Sequence, residues 1–175
     1  GFPKTKQQIL NIIDGQSIQL IIDGEYFSIF DGELIDIERY LDFNKGYVVR
    51  KIHWISNKGH ELKIKIKRMT SFSKLELFLI DYQVESINYD GEIKIISILN
   101  GDVNNYTDKD DPRVASGNNK FLKVTYINTI DNYAYITCNT TRSNLSLNTI
   151  MYHDKNFIYE VNKKNIEGTF SFNLK

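Results

Sequence analysis

The run Leu62-Lys63-Ile64-Lys65-Ile66-Lys67 alternates apolar and charged residues without a fault. A strand turns successive side chains to opposite faces, so this run predicts Leu62, Ile64 and Ile66 in a core and the lysines in water. Upstream lies Tyr47–Ile55, a run of β-formers, and between the two stands Asn57-Lys58-Gly59, whose glycine adopts positive φ at no steric cost. The stretch from Leu41 to Ser71 therefore predicts two strands joined by a hairpin. Trp54, the one tryptophan, falls just before the turn, where its large apolar area predicts a packed anchor. The lysine face reads as solvated, and as a guard against edge-to-edge strand pairing.

Turn signals recur along the chain. Residues 1–14 predict an entry loop, and Asp14-Gly15, Asp23-Gly24 and Asp31-Gly32 predict three turns bounding strands at Ser17–Ile22, Tyr26–Phe30 and Glu33–Leu41. Leu75 to Val84 is apolar on both faces, which predicts a strand buried on both sides, at the centre of a sandwich or beneath another layer. Tyr89-Asp90-Gly91 turns it into Glu92–Leu99. Asn100 to Lys120 then shows no periodicity and predicts a long loop, functional or mobile. Further strands are expected at Phe121–Asn128, Tyr133–Asn139, Leu145–Tyr152, Phe157–Val161 and Thr169–Leu174. Short strands at this spacing, with two prolines and no amphipathic helix, predict an all-β antiparallel sandwich.

Composition agrees. With 175 residues the chain fits one domain able to bury roughly 70% of its unfolded surface, and 11 tyrosines and 10 phenylalanines favour strands. A formal net charge of zero gives no electrostatic argument for nucleic acid or an anionic membrane, and neither is expected as a partner. No apolar run approaches a membrane span and no signal-peptide pattern opens the chain, so a cytoplasmic location is expected. A single cysteine, Cys138, forms no internal disulfide and suits a reducing compartment. It shares a face with Ala134 and Ile136, which predicts core packing.

Candidate chemistry is sparse. Asp108, Asp110 and Asp111 cluster in the long loop and are the right groups for acid–base work or calcium, but without calcium-loop spacing they read as solvated. His53, His60 and His153 are scattered without metal-ligand spacing, so no metal and no cofactor is expected. There is no phosphate-cradling glycine loop and no nucleophile elbow. Mutarotase-like chemistry needs a histidine and a carboxylate around one cleft, and no such pair stands out. Surface tyrosines on a β-domain can stack against sugars, although tyrosines straddling core and surface account for them more simply.

The pattern Leu41-Asp42, Gly46, Arg50, Trp54, Gly59, Arg68 and Ser71 resembles the N-terminal β-domain of glycoside hydrolase family 65, which includes the maltose, kojibiose and trehalose phosphorylases. The resemblance extends to Asn11 with Asp14, to Asp31-Gly32 before Asp36 and Arg39, to Ser97–Gly101 with Asn104, and to Thr140–Ser143, nearly the whole chain. It implies a galactose mutarotase-like antiparallel super-sandwich over residues 1–175, entered part-way through the domain without its first strands. In such proteins a helical linker and an (α/α)6 barrel follow. The barrel carries the catalytic Glu, a general acid, and the phosphate pocket, and performs inverting phosphorolysis of an α-glucobiose, the parent here being expected to be kojibiose or maltose phosphorylase-like. Inorganic phosphate is then a substrate of the parent enzyme. No residue here matches the catalytic Glu, so the resemblance implies a non-catalytic scaffold that docks on its own C-terminal catalytic barrel. The alternative is a stand-alone carbohydrate-binding sandwich. Missing strands leave edges uncovered, so a homodimer is also expected. Asn100, Gly101, Asn104, Asn105, Asp111 and Arg113 are the residues expected to face the barrel.

Overall fold

The computed structural model describes residues 9–108, 110 and 119–174. Among them the regular elements are twelve strands: β1 (Asp14–Ile22), β2 (Glu25–Tyr26), β3 (Glu33–Asp42), β4 (Tyr47–Ile55), β5 (Glu61–Thr70), β6 (Phe78–Ser86), β7 (Gly91–Asn100), β8 (Leu122–Ile130), β9 (Tyr133–Thr140), β10 (Ser146–Tyr152), β11 (Ile158–Val161) and β12 (Asn165–Leu174). They form sheets of order β11-β12-β7-β1-β2, β10-β9-β8 and β3-β4-β5-β6. Pairing is antiparallel throughout the last two sheets and at β1–β2 and β11–β12. This is the all-β antiparallel sandwich class that the alternation predicts. The chain divides into two compact units, one holding described residues of 19–95 and 171–174, the other of 9–18 and 96–170. Each has its own core.

In the first unit the register sets Ile52 against Ile64 and Trp54 against Leu62, with Val84 beyond Ile64. Leu20, Ile22, Ile66 and Ile93 complete the buried residues of this core. Trp54 is 1% exposed; its Nε1 donates to the Asp31 carbonyl at 2.6 Å, and Phe27 meets it edge-on at 5.2 Å. Gly32 makes that approach sterically allowed. Its φ is +74°, and a Cβ there would lie 2.4 Å from the Ile55 carbonyl and 2.9 Å from Trp54 Nε1. Asp23 and Gly24, at φ 49° and 79°, form the two-residue hairpin expected between β1 and β2.

The opposite face of this sheet is mostly solvated and charged, with Val49, opposite Tyr40 and Lys67, buried on it. Lys51 meets Glu38 at 2.7 Å and Lys67 meets Asp81 at 3.1 Å, exposed pairs of the kind that add little stability. The lysines of β5 guard no edge, because β5 lies between β4 and β6. The edges are β3, bulged between Leu34 and Asp36, and β6. The expected doubly buried strand at Leu75–Val84 is therefore corrected. It begins at Phe78 as edge strand β6, with Leu75 85% exposed and Phe78 and Leu79 also exposed. Only its alternate residues Ile80, Tyr82 and Val84 pack inward. The strand expected at Tyr26–Phe30 shortens to β2, because Phe27 and Ile29 turn into the Trp54 core.

In the second unit the alternate residues Ala134, Ile136 and Cys138 of β9 pack with Leu99, Leu122, Ile13 and Ile166. Cys138 is fully buried, as its face predicts. Asp14-Gly15 is no turn: both residues lie in β1, and the Asp14 carboxylate accepts from Gln16 N and the Ser17 hydroxyl. Gly101 is buried against this core, and a Cβ there would lie 2.6 Å from Val124 Cγ2 and 3.1 Å from Cys138 Sγ. β12 is longer than its sequence signal, starting at Asn165 instead of Thr169.

Candidate functional site

Asn100 ends β7, and the loop beyond it is held at several points. Gly101 N donates to the Lys164 carbonyl at 2.9 Å, and Asp102 N to Asn100 Oδ1 at 2.9 Å. The Asp102 carboxylate accepts from Lys164 Nζ at 2.9 Å and from Lys120 Nζ. These two ammonium groups, Lys120 first, hold its carboxyl below the usual range, and Asp102 in turn raises Lys164. Asn105 acts as a clasp. Its Oδ1 accepts from Asn11 N at 2.9 Å, its Nδ2 donates to the Ile9 carbonyl at 2.9 Å, and its N donates to the Asn119 carbonyl at 2.8 Å. The Asn104 carbonyl accepts from Asn11 Nδ2 at 2.8 Å.

An open cleft of about 440 Å³ lies beside this loop, lined by Asn100, Asp102, Asn162, Lys163, Lys164 and Asn165. Of the expected barrel-facing residues, Asn100 lines the cleft, Gly101 sits against the core, and Asn104 and Asn105 tie the loop to residues 9–11. Asp111 and Arg113 lie outside the described residues. Sequence reading missed the Lys120–Asp102–Lys164 cluster, whose members stand 18 and 62 positions apart. Only the β11–β12 hairpin brings Lys164 back to Asp102. Chemically the cluster is a carboxylate kept ionised by two cations, not a poised acid. Asp108 serves its own loop, accepting from the Tyr106 hydroxyl at 3.0 Å and from Asp110 N at 2.9 Å. Two histidine–carboxylate pairs do form, His53–Glu61 at 2.6 Å and His60–Asp23 at 3.2 Å, and neither lines the cleft.

A second candidate region lies on the inward face of β3–β6. The register sets Arg39 directly opposite Arg50, and Arg68 opposite Val48 on the same face. Like charges directly opposed across a sheet destabilise it. The acids of these strands do not answer the Arg39–Arg50 pair, because Asp36, Glu38, Asp42, Glu61, Asp81 and Glu85 fall at the alternate positions. Among the described residues neither Arg39 nor Arg50 is ion-paired. Burial pushes the neighbouring Tyr82 hydroxyl up, and the charges of Arg50 and Arg68 oppose that shift. Apolar side chains surround the arginines: Ile37 is 42% and Leu41 48% exposed. Past the strand ends, the Phe72 ring lies 3.4 Å from where a Gly46 Cβ would stand, and Phe43, Phe72 and Leu75 are highly exposed.

Residues 1–175 match the family described as glycosyl hydrolase family 65, N-terminal domain. The α,α-trehalose phosphorylase of Geobacillus stearothermophilus is 40% identical over 180 residues, covering 99% of this chain and 24% of the relative. A kojibiose phosphorylase of Halothermothrix orenii is 33% identical over 98 residues, covering 56% of this chain and 13% of the relative. A solved structure from the human microbiome, described as a candidate kojibiose phosphorylase, superposes with a TM-score of 0.82 at 22% identity. It covers 95% of this chain and 21% of that one, and shows the shared fold. The chain thus spans about a quarter of the length of its trehalose phosphorylase relative. It belongs to glycosyl hydrolase family 65, as that family's N-terminal domain.

Proposed function

We propose that the chain is the non-catalytic docking domain of a disaccharide phosphorylase, packing against the helical catalytic barrel of the same polypeptide. The parent reaction is inverting phosphorolysis of an α-glucobiose, with inorganic phosphate as substrate and no further cofactor. Trehalose is the first disaccharide to assay, since trehalose phosphorylases stand among the relatives with the highest identity. Residues 1–175 act as one domain in this reading, in a cytoplasmic homodimer. The loop carrying Asn100, Gly101, Asn104, Asn105, Asp111 and Arg113 borders the active-site entrance.

One observation carries the docking role, namely Arg39 opposite Arg50 on a sheet face without acids, ringed by exposed apolar residues. An arrangement that disfavours the isolated sheet is relieved by a segment presenting carboxylates among apolar side chains. The test is reconstitution. The chain is mixed with the catalytic remainder of the Geobacillus stearothermophilus enzyme, and complex formation and trehalose phosphorolysis are measured. The wild-type chain should form a complex, and Arg39→Glu/Arg50→Glu should lose it. Saturable phosphorolysis by the chain alone, or a complex indifferent to the double reversal, would sink the reading.

A further inference from the structure

The outward face of β8–β9–β10 has a composition unlike that of an ordinary solvated sheet. The registers place Ile130, Tyr133 and Tyr152 in one row across the strands, then Asn128, Tyr135 and Ile150, then Tyr126, Thr137 and Asn148, and finally Lys123, Asn139 and Ser146. Lys123, at one corner, is the only charged side chain in those four rows. The rings are open to solvent: Tyr126 is 50%, Tyr133 41% and Tyr152 57% exposed. They are also neighbours, with Tyr133 lying 5.0 Å from Tyr152 and 6.2 Å from Tyr135 between ring centroids. Beside this aromatic strip runs a strip of amides and hydroxyls. Thr137 Oγ1 donates to Asn148 Oδ1 at 2.8 Å and Asn128 Nδ2 to the Tyr126 hydroxyl oxygen at 3.0 Å. These bonds hold the amides in place and leave the side-chain N–H groups on Asn148 Nδ2 and the side-chain oxygen Oδ1 of Asn128 unused among the described residues.

We propose that this face binds a neutral oligosaccharide, a glucan chain lying along the Tyr135–Tyr133–Tyr152 strip. Sugar rings present patches of C–H groups, which pack on an exposed tyrosine ring, and hydroxyls, which need both donors and acceptors. Amide side chains supply both from one group, and an uncharged ligand asks for no ionic partner. The near absence of charge selects this occupant. An acidic or basic ligand would meet no counter-charge beyond Lys123, and an ordinary water-facing sheet would carry the lysine–carboxylate pairs seen on β3–β6. Contiguous exposed apolar surface on a folded domain marks a binding surface. This site is independent of the docking reading, since it uses none of the arginine face and none of the loop after β7.

The test titrates the chain with maltoheptaose and, separately, cellohexaose, following heat and tyrosine fluorescence, with oligogalacturonate as an anionic control. Saturable binding of a neutral chain is expected, weakened roughly tenfold in Tyr133→Ala and abolished in Tyr133→Ala/Tyr152→Ala. Both side chains are exposed, so circular dichroism should stay at its wild-type value and the thermal midpoint should fall only by the small amount that one cross-strand aromatic pair supplies. Tyr152→Phe, which keeps the ring, should retain binding. No saturable binding of either neutral probe would overturn the proposal, as would equal binding of oligogalacturonate. Self-association that the double variant abolishes, without any sugar binding, would also overturn it, assigning the face to a second copy of the chain.

Discussion

The sheets β3–β6 and β8–β10 follow the same alternation and fill both of its faces differently. Outward, the first carries pairs such as Lys51–Glu38 and Lys67–Asp81, whereas the second carries tyrosine rings and amides. Inward, the first is organised around one large side chain, Trp54, with Phe27 edge-on against it. The second is built by close approach, with Ile136 and Cys138 facing a glycine, Gly101, that has no room for a methyl group. Period two decides which side a residue takes. Residue size and charge decide what that side does, and the two cores should therefore fail in opposite ways.

The first core should fail on loss of volume. Trp54→Ala removes the largest buried side chain and should cost about 3–5 kcal/mol. Against a typical total of about 5–15 kcal/mol, that leaves the protein marginal or unfolded in urea titration. A loss below 1 kcal/mol, on the scale of a surface change, would end the contrast between the cores. The second core should fail on gain of volume. Gly101→Ala puts a methyl against Val124 and Cys138 and should cost about 1–3 kcal/mol in the same titration. A neutral result there would mean that this core yields where the other does not.

A third effect separates the units by pH. His153 stacks on Phe157 at 3.7 Å and contacts the Tyr159 hydroxyl through Nδ1 at 2.8 Å. That hydroxyl donates to the Asn132 carbonyl at 2.9 Å, so Nδ1 carries the hydrogen. Burial lowers the His153 pKa from 6.5 to about 4, and Asp154 opposes the shift. The unfolded chain therefore binds a proton in a range where the folded one does not. Stability is fully present above about pH 6.5 and falls between there and about pH 4. The depressed carboxyls behave otherwise: Asp23, held down by Lys58 and then His60, keeps its contribution until the pH drops below the ordinary 3.8. The thermal midpoint should decline from pH 6.5 to pH 4, and His153→Phe should flatten that decline while leaving the steeper loss below it. An unchanged slope in the variant would remove His153 as the cause.

Sequence made the first core legible because every residue from Leu62 to Lys67 repeats the same instruction. Cys138 was legible for the same reason, through Ala134 and Ile136. Leu75 to Val84 was not, since a run apolar on both faces carries no period to tell a central strand from an edge. Only strand order places β6 at the edge, and strand order is a long-range property. The family pattern contains Arg39, Arg50 and Arg68, yet their sharing one acid-free face follows from register, not spacing along the chain. The loop after β7 was marked by length alone, and its clasp needed Asn11 and Asn105 to meet across 94 positions. Surface tyrosines in general suggested sugar stacking without any one standing out, and the adjacency of Tyr133, Tyr135 and Tyr152 needed three registered strands.

The sole tryptophan belongs to one core and the sole cysteine to the other. Burial raises the pKa of the Cys138 thiol, so little reactive thiolate exists while its core is closed, and alkylation must wait for an opening event. Trp54 emission reports the environment of the first core on the same sample. The native chain thus carries a built-in pair of clocks, one chemical and one optical, each assigned to a single unit without any introduced label. Running both through one denaturation tells whether the units open as a single cooperative body or in succession.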